Sequence, residues 1–153
     1  MVEKVFWTIE ERLKEELDSP NEYQFNNHTL LEKRLKTFWS NPKWDSFSDL
    51  KLCNALETTL DKILVNVTHQ RRLSFIWILR LLEKFESVSL KPLMVYECIE
   101  RPGHYVVCDG QHTATVLYLL ITRVFKENIK DCIIPIMIYD AAQVKELYGS
   151  SEE

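Results

Sequence analysis

A chain that runs Tyr105-Val106-Val107-Cys108-Asp109-Gly110-Gln111-His112-Thr113-Ala114 has few ways to fold around that stretch. Tyr105–Cys108 is an apolar, partly β-branched run suited to a strand. Asp109-Gly110 is a turn signal, and a strongly apolar helix is predicted from Gln111 to Phe125. A strand that turns through a glycine into a helix aims several first-turn N–H groups at one point, because they have no carbonyl partner inside the helix. Such a point attracts anions. The element therefore predicts a layered α/β fold and also the place to look for a ligand.

The flanking sequence supports that fold. Residues 92–99 and 104–108 read as two strands joined by the Arg101-Pro102-Gly103 turn, and 133–138 as a last strand whose Pro135 suggests an edge or end position. Leu64-Val65-Asn66-Val67 is a short strand. Ser74 caps a helix over 74–85 in which Phe75, Ile78, Leu79, Leu82 and Phe85 form one stripe, widened by Ile76, Trp77 and Leu81. Asp140 caps a last helix to Tyr148, stopped by Gly149. The expectation is an α/β (α+β) core over 64–149, a small mixed sheet with packed helices, followed by a tail at 150–153.

Residues 1–63 read as a helical extension packed on that core. Phe6, Ile9, Leu13 and Leu17 recur at three and four residues. Thr29 with Glu32 forms a capping box ahead of Leu30, Leu31, Leu35 and Phe38. Ser46 or Ser48 caps a third helix with Leu52, Leu56, Leu60 and Ile63 on one side. The large side chains Trp7, Phe38, Trp39 and Trp44 either cover the sheet or present an aromatic surface to a partner protein.

Composition excludes several classes. With 153 residues, 46% hydrophobic and 27% charged, the chain can bury the core of one domain. No apolar run reaches the ~18 residues of a membrane span. The start, Met-Val-Glu-Lys-Val-Phe-Trp, lacks the layout of a signal peptide, so a cytoplasmic protein is expected. Cys53, Cys98, Cys108 and Cys132 form no Cys-x-x-Cys pair, which predicts buried thiols and no metal centre. The net charge is −4, and the clear basic stretch, 68–84, offers Arg71, Arg72, Arg80 and Lys84 against Glu83. Duplex DNA binding should therefore be weak or absent and lost at moderate salt.

At the turn itself, Gly110 permits a backbone that other residues resist. Asp109 either caps the helix or holds a metal ion or acts as a base. His112, at the positive end of the helix, favours a neutral imidazole that accepts a proton, bonds a phosphate or makes a structural bond beneath the turn. Gln111 and Thr113 add an amide and a hydroxyl. Arg71 and Arg72 read by default as solvated loop charges, and His69 and Arg80 are weaker candidates.

Residues 64–139 resemble the ParB/sulfiredoxin-like superfamily, and within it the phage and bacterial proteins that carry an Asp-Gly-Gln-His-Arg motif. Gln70-Arg71, the helix 74–85, Pro92-Leu93-Met94-Val95, Tyr105–Cys108 and Asp109-Gly110-Gln111-His112 stand in the order of that family. The resemblance implies a nucleotide- or phosphate-binding groove at the strand-to-helix turn, with Gln70, Arg71, Gly110, Gln111 and Thr113 as ligand-binding residues. Asp109 and His112 are then the candidate catalytic residues. Hydrolysis or phosphoryl transfer would use Mg²⁺ on Asp109, with His112 or Asp109 handling a proton. The chain departs from the family at Thr113, where an arginine is usual, and at Gln111, where sulfiredoxins carry a reactive cysteine. A competing expectation is a non-catalytic interaction module, for example a phage-encoded modulator of a host protein. A third is a nuclease or DNA-associated protein, of which the nuclease requires further acidic metal ligands near Asp109.

Overall fold

The computed structural model describes residues 5–18, 32, 33, 35, 36, 46–49, 56–70, 73–83 and 91–148. Their fold is mixed α/β. Six strands, β1 (Phe6–Thr8), β2 (Leu56–Thr59), β3 (Ile63–Asn66), β4 (Leu93–Glu97), β5 (Tyr105–Asp109) and β6 (Ile133–Ile138), form one sheet in the order β1-β3-β5-β4-β6-β2. The β3–β5 and β4–β6 pairs are parallel and the other three are antiparallel. The helices are α1 (Ile9–Asp18), α2 (Phe75–Glu83), α3 (Gln111–Leu119) and α4 (Ala141–Tyr148).

Period-two alternation places Ile63, Val65, Leu93, Val95, Ile134 and Ile136 on one sheet face, where they meet Ala114, Leu117 and Ile121. The opposite side of α3 presents Val116, Leu119, Leu120 and Val124 to Phe75, Ile78, Leu79 and Leu82 of α2. The α3 helix is thus enclosed between sheet and helix, which is why its sequence is apolar on most sides. It ends in a π turn, Leu120–Val124, closed by Phe125 N–H donating to the Leu120 carbonyl at 2.8 Å.

The expected helical extension is corrected at two places. The stripe that begins at Phe6 starts as strand β1, and the helix opens only after Thr8. Thr8 Oγ1 accepts from Glu11 N–H and Glu11 Oε1 accepts from Thr8 N–H, each at 3.1 Å, a reciprocal capping box. The expected third helix contains strand β2 instead. Leu56-Glu57-Thr58-Thr59 pairs with β6, and a short 3-10 turn, Leu60–Lys62, leads into β3. Residues 1–63 therefore supply both outer strands of the sheet. The second expected helix lies largely outside the described residues, although 32, 33, 35 and 36 are helical and Leu35 is buried with α2. Phe38, Trp39, Trp44, Cys53 and the tail also lie outside them.

The edge or end position expected from Pro135 is not what forms, since β6 runs between β4 and β2 and Pro135 is its third residue. Tyr139 N–H donates to Val95 O at 2.7 Å, so the odd-numbered N–H groups of this stretch face β4. The donor that proline lacks would fall one step before the β4 pairing begins at Leu93↔Ile136, and no ladder bond is lost. The final helix begins as expected, with Asp140 Oδ1 accepting from Gln143 N–H at 2.8 Å. No helix among the described residues is long and apolar enough to cross a membrane.

Candidate functional site

The end of β5 is built irregularly. Val95 pairs with Val107 and Met94 with Asp109, so Cys108 is an extra residue, a β-bulge that redirects the strand just before the turn. A bulge leaves carbonyls without ladder partners, and Gln70 supplies the donor. Its Nε2 lies 3.3 Å from Val107 O and 3.1 Å from Cys108 O. The loop after β3 thus clamps the strand that carries the site.

Gly110 follows with φ 112° and ψ 20°, a left-handed conformation. A Cβ at this position would stand 3.0 Å from Leu93 Cδ2, and Leu93 is fully buried. Glycine is required for both reasons. Ala114 N–H donates to Gly110 O at 2.8 Å, the first rung of α3. The N–H groups of Gln111, His112 and Thr113 precede that rung, have no carbonyl within the helix, and cannot be capped by a glycine. The N-cap position falls on Gly110, so the capping role considered for Asp109 is not adopted. Asp109 is the exposed last residue of β5.

A groove of about 340 Å³ opens over this turn, lined by His69, Gln70, Trp77, Cys108, Asp109, Gly110, Gln111, His112 and Thr113. Six of the seven candidate residues, Gln70, Asp109, Gly110, Gln111, His112 and Thr113, are brought together there. Arg71 lies outside the described residues. Gln111 is buried at the floor and Thr113 is half-buried. Arg80 is exposed on α2 and does not line the groove. Among the described residues no group of three or more His, Cys, Asp or Glu is placed to hold a metal ion, so a nuclease-type acidic set is not found there.

His112 is fixed by a structural bond. Its Nε2 accepts the N–H of Ser74 at 2.9 Å, while Ser74 Oγ accepts from Trp77 N–H at 3.3 Å. The ring therefore carries its proton on Nδ1 and ties the start of α2 to the first turn of α3. Burial, followed by the Arg12 guanidinium of α1, holds its pKa below the ordinary 6.5. Taking up a proton at Nε2 would cost the Ser74 bond. Arg12 was not singled out in the sequence; the available signal was its place at i+3 from Ile9 on the inner stripe of α1. Trp77 was assigned to the helix stripe, yet it is 48% exposed at the groove wall.

A pH prediction follows from the depressed pKa. As pH falls through about 6.5 the unfolded chain takes up the His112 proton before the folded one does, so stability present above that pH is lost below it. His112→Gln offers an amide oxygen in place of Nε2 and does not titrate. Between pH 7.5 and 5 the urea midpoint of the wild type should fall further than that of His112→Gln. Equal falls would show that this ring is not the linked group.

Comparison of the chain with known protein families, with curated proteins and with solved structures gives no match.

Proposed function

We propose that the groove at the β5–α3 turn binds a nucleotide or another phosphorylated ligand. The observation that carries this reading is the left-handed Gly110 junction, which opens α3 without a side-chain cap and places its first-turn residues Gln111, His112 and Thr113 in the lining of a groove wide enough for a ligand. Arg71, next to Gln70 in sequence, is the cation that the family resemblance assigns to such a ligand. Membership of the ParB/sulfiredoxin-like superfamily is part of this proposal. The order of Gln70, α2, β4, β5 and α3 along the chain supports it.

Binding is better supported than catalysis. Nε2 of His112 and the amide of Gln70 are both engaged with backbone, which makes them supports of the site. Asp109 is the carboxylate on the groove wall. Beside a phosphate it would repel unless a cation intervened, and a Mg²⁺ shared between Asp109 and ligand phosphates fits the ordinary preferences of that ion.

The test is ligand-dependent stabilisation. A ligand at one hundred times its dissociation constant raises unfolding free energy by about 2.7 kcal/mol, a shift of several degrees in Tm for a domain of this size. Nucleoside di- and triphosphates and inorganic triphosphate, each with and without Mg²⁺, should include at least one that produces it. If none does at millimolar concentration, the reading fails and the non-catalytic interaction module takes its place.

A further inference from the structure

We propose that Trp77 is a stacking platform for a planar base, so that the ligand class of the groove narrows from phosphorylated compounds in general to nucleotides. This deepens the proposed function and rests on it.

Most of α2 is occupied with the core. Phe75, Ile78, Leu79 and Leu82 are buried against α3. Trp77 is not part of that contact. Half its surface is open, at 48%, and it stands in the wall of a groove that is otherwise polar. A large apolar ring left open to water forgoes burial that a ligand ring could supply. An indole face accepts any base, because every base has a π-face.

The backbone that carries the platform is also held in place. Ser74 Oγ accepts the Trp77 N–H, and the Ser74 N–H is bound by His112 Nε2. The backbone of Trp77 is therefore linked through two hydrogen bonds to the α3 turn, where the phosphates would sit. An open aromatic side chain beside an anion site suits a ligand with a ring at one end and negative charge at the other. An inorganic phosphate or a sugar phosphate would leave the indole unused.

Calorimetry would compare ATP, GTP, CTP and UTP with inorganic triphosphate on the wild type, Trp77→Ala and Trp77→Leu. The leucine variant keeps apolar bulk without an aromatic face and guards against loss of fold in the alanine variant. Stacking on one aromatic ring is worth roughly tenfold or more in affinity. The wild type should therefore bind at least one nucleotide roughly tenfold or more tighter than inorganic triphosphate. Both variants should lose that advantage while binding inorganic triphosphate as the wild type does. If the variants retain the advantage, or if the wild type binds nucleotides and triphosphate alike, the platform is refuted and the phosphate site stands. If neither nucleotides nor triphosphate bind, both readings are overturned.

Discussion

Gly110→Val should lose about 3 kcal/mol of stability and any affinity at the β5–α3 turn. Two separate costs combine. A β-branched residue at φ 112° sits where L-residues are strained, a penalty on the order of 1–3 kcal/mol. The new Cβ would also stand 3.0 Å from Cδ2 of the buried Leu93, which must shift within the core to admit it. Gly110→Ala carries the strain and the first contact without the extra methyl groups, so it should fall between wild type and valine. Urea unfolding of the three proteins gives the order. A valine variant as stable as wild type would mean that the turn relaxes at little cost, and the case for a rigid ligand site would fall with it. Gly103 gives the internal control. It also has positive φ, 85°, but its added Cβ meets nothing within 4 Å, so its alanine variant reports strain alone.

The Gly110 turn was legible in the sequence because its signals are local. An apolar run, Asp-Gly, and a helix whose apolar residues go all round can be read without knowing what lies opposite. The strand 133–138 and the cap at Asp140 were legible for the same reason. What could not be read depends on distant partners. Leu56-Glu57-Thr58-Thr59 sits in an i, i+4 leucine pattern that suggests a helix, yet pairing with β6 decides the outcome. Thr8 and Glu11 do form a local signal, a capping box, and the apolar Phe6 hid it by extending the helical stripe one turn too far. At the site, residue types at the turn were visible, but their use was not. That His112 would accept a backbone N–H from α2, and that Gln70 would brace a bulge, are consequences of packing across 38 residues of chain in each of those bonds to Ser74 and Cys108. Trp77 was masked by its neighbours, since an aromatic in a run of apolar residues is mostly core.

The contribution of α1 to the site leads to the other large effect expected. Arg12 and Glu16 sit one turn apart on the face of α1 that packs on α3, 8% and 1% exposed, with Arg12 Nη1 3.8 Å from Glu16 Oε1. Ion pairs so deeply buried owe little to their net energy and much to what remains when one member is removed. Arg12→Leu leaves the Glu16 carboxylate in a low-dielectric interior without its neighbouring guanidinium, a loss of about 3–5 kcal/mol. Glu16→Leu removes the carboxylate beside the Arg12 guanidinium and should also lose stability. The double variant Arg12→Leu/Glu16→Leu replaces both charges with apolar groups on an apolar face, and most of the loss should be recovered. A double-mutant cycle on urea midpoints reads the coupling directly, and additive single effects would show that the two charges do not depend on each other. The double variant has a second readout at the groove. Arg12 is one of the two causes that hold His112 below its ordinary pKa, the lesser after burial. Removing it should move the His112 titration upward toward 6.5 without restoring it fully, because burial persists. Following the ring protons of His112 by NMR across pH 4.5–8 would show this shift. If the titration stays in place, α1 supports the fold alone; if it moves, the first helix sets the electrostatics of the turn.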